Sequence, residues 1–444
     1  MKIVKWLYPG MRVKRWLFLA FFGAMIVGAG LGISNEFKVL YYIDDLLKGI
    51  TQALFGLHSS LLGGLIITAL GISMMVIGIR KTVKSILSAV APYNEQKLVD
   101  LIYQKRHLKR GPKIVVLGGG TGLSVLLRGL KSYTSNITAI VTVADDGGSS
   151  GRLRGDLGIL PPGDIRNCLV ALADTEVLME ELFQHRFSEG GELSGHNLGN
   201  LLIAAMTEIA GDFEQAIHQL SKVLAIRGRV LPSTLTEVIL KAETKDGEII
   251  VGESNIPAAG KQIKRVFIDP PDCRPVDEAI RAIQEADAVI IGPGSLYTSV
   301  LPNLLIRDIA KAIKETSAVK AYVCNIMTQP GETDNYSASN HVRSIIQHVG
   351  SGAIDYAIVN VEEIPKKLLR KYKDEGAFPV RPDLEQLEKL GVKVAKEDLV
   401  YESDLVRHHP DKLSRAIIGL IFRLKSETER DRFLDAYMIS ERAR

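Results

Sequence analysis

The chain has 444 residues, of which 46% are hydrophobic and 24% charged, so it can bury a large core and is expected to carry more than one domain. Its formal net charge is +4 and its mean hydropathy is +0.11, and both the apolar excess and much of the basic charge fall near the N-terminus. This distribution favours a membrane surface, and we find no nucleic-acid-binding motif and expect no nucleic-acid partner. The three scattered cysteines form no C-x-x-C pair, which indicates neither a disulfide framework nor a thiolate zinc site.

Two uncharged runs near the N-terminus have the length of membrane-spanning helices. The first covers residues 16–35, and the second is most apolar at 61–79. The first run is long, glycine-rich and without an A-x-A cleavage site, so we interpret it as an anchor rather than a signal peptide. Lys and Arg crowd before the first run and after the second. The positive-inside rule therefore predicts a multi-pass hairpin in the cell membrane, with the N-terminus and everything after residue 80 in the cytoplasm. Gly28 and Gly32 form a G-x-x-x-G that could pack the two helices.

The remaining chain divides into three parts. Residues 81–112 form a basic amphipathic connector that lies near anionic headgroups or is simply a solvated helix. From residue 113 to 424, apolar β-branched runs alternate with helical periodicities, which predicts an α/β domain with a Rossmann-like, doubly wound, mostly parallel sheet. The expected strands lie at 114–117, 137–143, 265–268, 288–291, 321–323 and 357–359, with helices including 276–285 and 306–313. An antiparallel hairpin at 236–254 is expected to be added to the sheet, and residues 425–444 form a charged helix or tail.

The stretch KIVVLGGGTGL, at residues 113–123, predicts a buried strand that breaks into glycines and leads into a helix at 123–130. Bare backbone N–H groups beside a helix N-terminus can hold a phosphate, and glycine permits the close approach and left-handed dihedrals that this requires. Neither the dinucleotide-binding nor the P-loop pattern is complete, because Leu123 stands where each requires a glycine or a lysine. A tight turn without a ligand remains the alternative. The candidate ligand-binding residues here are Gly118, Gly119, Gly120, Thr121 and Gly122.

A second polar stretch, ADDGGSSGRLR at 144–154, follows the next expected strand. Ligands of open parallel sheets bind at the carboxyl ends of strands, so this stretch should lie beside the glycine loop. Its two adjacent carboxylates could accept hydrogen bonds from ribose or base, or hold Mg²⁺ beside phosphate oxygens, and its arginines could offset phosphate charge. Taken alone, Asp-Asp-Gly-Gly is an ordinary turn. The candidates are Asp145, Asp146, Ser149, Ser150 and Arg152, the first two also as metal ligands.

Three later stretches repeat the design of polar groups at strand ends or helix starts. In PPGDIRN, at 161–167, Asp164 is placed to cap the following helix. In SGHNLGN, at 194–200, polar groups precede a helix expected at 198–208, although its histidine could be an ordinary loop residue. IGPGSLYTS, at 291–299, and the segment from residue 325 also follow strands. The candidates are Arg166, Asn167, His196, Asn197, Asn200, Gly292, Gly294, Ser295, Tyr297, Thr298 and Asn325.

Taken in order, seven motifs between residues 118 and 333 resemble one known family. They are GGGTGLS, TVADDGGSSGRLR, PPGDIRN, SGHNLGN, RVLPST, IGPGSLYTSVLPN and CNIMTQPGET. Together they resemble the gluconeogenesis-factor branch of the 2-phospho-L-lactate transferase-like family. The resemblance extends from about residue 113 to the low 420s and leaves out the membrane hairpin.

The resemblance implies a Rossmann-like fold and a cytoplasmic site for UDP-sugars such as UDP-N-acetylglucosamine, with a role in carbon metabolism, cell-wall precursor supply and cell shape. The transferase branch joins a lactyl phosphate to a deazaflavin with a magnesium ion, and Asp145 or Asp146 matches its aspartate. GGSSGRLR instead belongs to the gluconeogenesis-factor branch. Our hypothesis is a membrane-tethered, non-catalytic regulator that needs no cofactor. The alternative is a Mg²⁺-dependent phosphoryl or nucleotidyl transferase. We also expect a homo-oligomer and protein partners in cell-wall precursor synthesis.

Overall fold

The computed structural model describes residues 14–34, 60–90, 108–174, 177–402 and 406–426, together with residues 430, 434 and 438. The chain divides into two compact units, Met1–Gln104 and Lys105–Arg444. The loop between the two apolar runs, much of the expected connector and nearly all of the charged tail lie outside the described residues.

The N-terminal unit is a pair of antiparallel helices, α1 (Lys14–Ser34) and α2 (Ser60–Val90), which pack against each other. Their backbones meet at glycines: a Cβ on Gly23 would lie 2.6 Å from the Met75 backbone nitrogen, and one on Gly71 would lie 2.7 Å from that of Val27. The contact expected at Gly28 is wrong, because a Cβ there would meet nothing within 4 Å and the residue lies off the packed face. By length and composition, Gly64–Ser85 could cross a membrane, whereas Arg15–Leu31 is a shorter apolar helix.

The C-terminal unit alternates strands and helices. Its strands are β1 (Ile114–Gly118), β2 (Ile137–Val141), β3 (Arg229–Pro232), β4 (Ile239–Thr244), β5 (Ile249–Val251), β6 (Ile263–Asp269), β7 (Ala288–Ile291), β8 (Val319–Val323), β9 (Tyr356–Asn360), β10 (Lys393–Glu397), β11 (Val400–Glu402) and β12 (Val406–His408). Its helices are α3 (Gly120–Leu130), α4 (Gly148–Leu157), α5 (Gly163–Leu172), α6 (Val177–Gln184), α7 (Leu198–Ala210), α8 (Phe213–Val223), α9 (Asn255–Ala258), α10 (Asp277–Gln284), α11 (Leu301–Leu304), α12 (Arg307–Glu315), α13 (Ala338–Val349), α14 (Lys366–Asp374), α15 (Leu384–Lys389) and α16 (Pro410–Leu424). A 3₁₀ turn covers Gly191–Leu193 and a π-helical turn covers Leu296–Val300.

Seven parallel strands form the main sheet, in the order β10-β9-β8-β7-β1-β2-β3. The central strand β1 is buried along its whole length, and Val116 pairs in register with Ala139 of β2 and Ile290 of β7. Such continuous apolar runs are typical of parallel strands covered on both faces. The predicted Rossmann-like, doubly wound fold is therefore confirmed.

The expected hairpin at 236–254 forms as β4 and β5, but it is not part of the main sheet. It pairs instead with β6, giving a separate three-stranded antiparallel sheet in the order β5-β4-β6. The segment 265–268 was expected in the parallel sheet, and this too is wrong. The alternation of apolar and polar residues identifies strands but not their partners, and here the partner of β6 is the hairpin. The sequence does not predict the parallel strands β3 and β10, because charged residues interrupt or border their apolar positions.

Candidate functional site

The strand order reverses direction between β1 and β7, because β1 leads outward to β2 and β7 leads the opposite way to β8. Ligands of open α/β sheets bind outside the carboxyl ends of the strands at such a switch point. A cleft of about 340 Å³ lies here, and we call it the switch-point cleft. Its lining includes Gly119, Gly120, Thr121, Gly122, Pro293, Gly294, Ser295, Asn325, Gln329, Tyr372, Glu375, Arg407 and His408.

Three glycines of the loop are constrained, Gly120 by its backbone conformation and Gly119 and Gly122 by their close neighbours. Gly120 adopts a left-handed φ of +65° at the start of α3. A Cβ on Gly119 would lie 2.4 Å from Asp164 Oδ2, and one on Gly122 would lie 2.9 Å from the carbonyl oxygen of Pro293. The loop after β1 therefore fits closely against the loop after β7, with the N-terminal backbone of α3 facing the cleft. This is the arrangement that a phosphate group requires.

Asp164 takes part in the site rather than capping its own helix. Helix α5 begins at Gly163, one residue before it, and no side chain caps that helix. The Asp164 carboxylate instead accepts a hydrogen bond from the Gly120 backbone N–H. Burial and the neighbouring charge of Asp145 raise the pKa of Asp164 to about 7. The expectation of a helix cap is thus wrong, because the side chain turns away from α5 toward the glycine loop.

Two further carboxyl groups join Asp145 and Asp164 in what we call the acid cluster. Burial and the charge of Asp145 raise the pKa of Glu253 to about 8. Burial raises the pKa of Glu332 to about 7, although Thr298 Oγ1 donates a hydrogen bond to its Oε1 at 3.1 Å. Asp164, Glu253 and Glu332 therefore hold protons near neutral pH and can donate as well as accept hydrogen bonds. Among the described residues, no group of three His, Cys, Asp or Glu side chains has the geometry of a metal site.

The adjacent residues Asp145 and Asp146 have different surroundings. Asp146 accepts hydrogen bonds from the backbone N–H groups of Glu253 and Ser254, both at 2.9 Å, and from Ser254 Oγ at 2.7 Å. Its carboxylate thus fixes the turn after β5. Asp145 accepts a bond from the Gly147 N–H at 2.9 Å, and its charge raises the pKa of Asp164 and, more strongly than that of Asp146, the pKa of Glu253.

A buried polar network lies behind the cleft and contains most candidates from α4, α5 and α7. Ser149 Oγ accepts from the Asn197 N–H and from Asn200 Nδ2, each at 3.2 Å, and lies 3.2 Å from His196 Nδ1. Ser150 Oγ accepts from the Gly163 N–H at 3.1 Å, which holds the start of α5. Burial and the charge of Arg152 lower the pKa of His196. The network positions the helix starts around the acid cluster.

Arg166 is the charged member of this network. Its Nη1 donates to Asn200 Oδ1 at 2.9 Å and its Nη2 donates to Asn167 Oδ1 at 2.7 Å. Its Nε is buried and has no partner among the described residues. Burial lowers its pKa to about 10, while Asp164 and Asp145 oppose that shift, so the guanidinium remains charged.

The structure thus divides the candidate residues into two groups. Those that line the cleft are Gly119, Gly120, Thr121, Gly122, Gly294, Ser295 and Asn325. The others contact neighbouring protein groups. Asn197 caps α7, Thr298 bonds Glu332, and Arg152 donates to the Ser194 carbonyl. The Tyr297 hydroxyl bonds those of Tyr336 and Ser344, Gly118 ends β1, and Gly292 precedes a cis proline. Whether each contacts a ligand stays a prediction.

Sequence reasoning missed several residues of the site. Tyr372 and Arg407 reach the cleft from α14 and β12, far along the chain, and Val406 N–H donates to the Tyr372 hydroxyl at 2.9 Å. Arg407 is exposed and supplies the positive charge of the described lining. The neighbouring His408 is neutral at pH 7, because burial lowers its pKa to about 4. Glu253 was also missed, at the end of the separate hairpin. Glu332 lies within the CNIMTQPGET motif, and its place in that motif was the signal that could have identified it as a site residue.

Comparison with known proteins agrees with this architecture. The family model of 2-phospho-L-lactate transferase CofD matches residues 114–400. A gluconeogenesis factor of Bacillus subtilis is 55% identical over 311 residues, covering 70% of this chain and 98% of its own. A protein of Clostridium acetobutylicum, named provisionally as a gluconeogenesis factor, is 45% identical over 456 residues, covering 100% of this chain and 97% of its own.

A solved structure shows the same fold. The crystal structure of a UPF0052-family protein from Bacillus halodurans superposes with a TM-score of 0.68 at 55% identity, covering 69% of this chain and 99% of that one. The main sheet, the glycine loop and the seven ordered motifs lie within residues 114–400, which the family model matches. The chain therefore belongs to the 2-phospho-L-lactate transferase CofD family and, within it, to the group of relatives named gluconeogenesis factor.

Proposed function

We propose that this protein is a membrane-tethered regulator whose C-terminal unit binds a UDP-sugar, such as UDP-N-acetylglucosamine, in the switch-point cleft. Its binding state controls carbon metabolism, cell-wall precursor supply and cell shape, and no reaction is required. The switch-point cleft carries this proposal, since it combines a bare glycine loop, an exposed arginine and an aromatic side chain. The name gluconeogenesis factor, borne by relatives, supports the link to carbon metabolism.

Each part of a UDP-sugar has a counterpart in the described lining. The diphosphate lies against the N-terminal backbone of α3, and Arg407 offers a bidentate guanidinium to its oxygens. The ring of Tyr372 gives a surface on which a uracil or a sugar can stack. Asn325 Nδ2 donates to the Gly294 carbonyl at 2.8 Å, and this bond holds the β7 loop in place beside the sugar.

Isothermal titration of the full-length protein with UDP-N-acetylglucosamine tests the binding. We expect binding without Mg²⁺, and we expect Arg407→Ala to weaken it roughly 10- to 100-fold, the effect of losing charge-assisted hydrogen bonds. Arg343→Ala removes an exposed arginine of α13 outside the cleft and serves as the matched control. Equal affinity in the Arg407 and Arg343 variants would show that the nucleotide-sugar does not occupy this cleft.

The membrane tether rests on the surface of the helix pair. Phe18 and Phe21 are 67% and 66% exposed, and such large apolar surfaces are stable in hydrocarbon but not in water. At the end of the pair that carries the basic residues, Lys81 Nζ lies 4.6 Å from the Trp16 ring centroid, a combination common at membrane–water interfaces. We expect protease added to spheroplasts to leave the C-terminal unit intact. Digestion of that unit would contradict the proposed cytoplasmic orientation.

The acid cluster supports a second candidate, a Mg²⁺-dependent phosphoryl or nucleotidyl transferase. Carboxyl groups beside a phosphate site can hold a metal or exchange a proton during phosphoryl transfer, and Asp145 is the candidate ligand because the carboxylate of Asp146 already bonds Glu253 and Ser254. In this case the purified protein would release UDP or phosphate continuously in the presence of Mg²⁺, and Asp145→Asn would abolish the release. We expect no such release on prolonged incubation.

A further inference from the structure

A second concave surface of the C-terminal unit shares no residue with the switch-point cleft. It measures about 470 Å³ and lies between α12, the end of α13 and β6, and we call it the α12 groove. Apolar side chains contribute its floor, among them Phe267, Leu304, Leu305 and Val349. Its size and apolar floor are typical of small-molecule sites.

The rim of the α12 groove is positively charged. Arg307, Lys311 and Lys314 follow one another at helical spacing along α12, and all three are exposed. Within the described part of the chain they have no ion-pair or hydrogen-bond partner, whereas Lys264, Arg265 and Lys412 are examples of cations in this unit that pair with a carboxylate. Glu315 is the carboxylate of the lining, so positive charge exceeds negative charge around an apolar floor. A molecule that combines an anionic group with an apolar body complements this surface.

His348 does not add charge to the groove. Its Nε2 accepts a hydrogen bond from the Val266 N–H at 2.9 Å, and its Nδ1 lies 2.6 Å from the Ser344 carbonyl oxygen, to which it donates. The neutral imidazole therefore joins β6 to α13 and forms part of a fixed wall. The pre-formed wall favours a small ligand over a flexible macromolecular partner.

The floor of the groove is adjacent in the chain to Asn303, the residue that holds the start of the glycine loop. Leu304 and Leu305 directly follow Asn303, whose Nδ2 donates to the Gly118 carbonyl at 3.1 Å and to the Ser299 carbonyl at 2.9 Å. Asn303 is fully buried, so it moves only with its helix. A ligand that shifts α11 from the groove side thus shifts the bond that holds the end of β1 in the switch-point cleft.

We infer that the α12 groove is an effector site for a small amphipathic anion, with a phosphate or carboxylate on an apolar body, whose occupancy changes ligand affinity in the switch-point cleft. The coupling between the two sites rests on the proposed function of the switch-point cleft, whereas binding of the anion in the α12 groove is independent of that proposed function. Coupling of this kind is reciprocal, so each ligand must change the affinity of the other by the same factor.

Equilibrium dialysis of phenyl phosphate against the full-length protein in detergent micelles, with empty micelles as the blank, tests the groove. We expect phenyl phosphate to bind at least tenfold more tightly than inorganic phosphate or phenol. The double variant Lys311→Glu, Lys314→Glu should weaken it at least tenfold, and the control Lys389→Glu, Lys396→Glu, which changes two exposed lysines elsewhere, should not. Absence of binding, equal binding by both double variants, or full displacement by UDP-N-acetylglucosamine would each overturn the site.

A second titration measures the coupling. The affinity for UDP-N-acetylglucosamine should change at least threefold when phenyl phosphate is saturating, and the change should vanish in Lys311→Glu, Lys314→Glu. An unchanged affinity would overturn the effector role. If UDP-N-acetylglucosamine does not bind at all, the proposed function fails, and the dialysis measurement still decides whether the α12 groove is a site.

Discussion

Replacing Gly120 by alanine tests whether the glycine loop binds a ligand or is only a structural turn. Gly120 has a φ of +65°, which an alanine adopts at a cost of about 1 to 2 kcal/mol. The added Cβ would lie 3.7 Å from Ser299 Oγ, an ordinary contact, and no other heavy atom lies within 4 Å. The methyl group therefore does not clash in the folded protein. It projects beside the cleft, where a phosphate would approach the backbone of α3.

Gly158 provides a matched control for the backbone strain. Its φ is +64°, it follows α4 outside the cleft, and a Cβ there would meet nothing within 4 Å. Gly120→Ala and Gly158→Ala should thus lower the free energy of unfolding by similar amounts, about 1 to 2 kcal/mol, and the melting temperature by no more than a few degrees. Only Gly120→Ala should weaken UDP-N-acetylglucosamine, at least tenfold, because the methyl group blocks close approach of the diphosphate.

Thermal unfolding and isothermal titration of the two variants and the parent protein give the comparison. Equal affinity in all three proteins, with both variants folded, would show that no ligand atom approaches Gly120 and that the loop is only a turn. A large loss of stability in Gly120→Ala alone would show that the added methyl group does clash in the folded protein. Loss of binding in both variants would assign the effect to strain rather than to the cleft.

Two other substitutions have expected results that follow directly from the structure. Asp164→Asn keeps an acceptor for the Gly120 N–H but removes a carboxylate whose pKa is raised to about 7, so the native fold loses stability as pH rises from about 4 through 7. The variant should gain on the order of 3 kcal/mol at pH 8 and progressively less toward pH 5, measured by denaturant unfolding; an equal gain at both pH values would contradict this. Asp146→Ala removes three accepted hydrogen bonds and should cost about 2 kcal/mol by the same measurement. Full stability in Asp146→Ala would contradict its role in fixing the turn after β5.

The sequence predicted the features that depend on neighbouring residues. The buried runs of β1, β2, β7, β8 and β9 are apolar because both faces of a parallel strand are covered, and the period of the intervening segments identified the helices. The glycine loop was recognisable because its backbone requires glycine locally. Each of these conclusions needs only a window of about ten residues, within which the physical cause is complete.

Residues that act through distant partners could not be predicted in the same way. Asp164 stands where a capping residue would stand, and only the packing of α5 against α3 directs its carboxylate to Gly120. Glu253 reaches the acid cluster because the β4–β5 hairpin pairs with β6 rather than with the main sheet. Arg407 follows a segment of weak periodicity and lines the cleft only because β12 lies beside it. In each case a residue far away in the sequence decides the role. For example, the Glu253 N–H donates a hydrogen bond to Asp146, which is 107 residues away.

The acid cluster finally distinguishes a binding regulator from a metal-dependent transferase. A diphosphate beside Asp164, Glu253 and Glu332 meets carboxyl groups whose pKa values lie between about 7 and about 8, so its negative charge raises those values further. Binding of a UDP-sugar without metal should therefore take up protons near pH 7.5, where part of the cluster is ionised. Mg²⁺ in the same place lowers those pKa values and should release protons instead. Titrations in two buffers that differ in ionisation enthalpy measure the sign directly. We expect uptake, reduced in Asp164→Asn, whereas proton release that requires Mg²⁺ would assign the acid cluster to a metal and favour the transferase, for which product release is the deciding measurement.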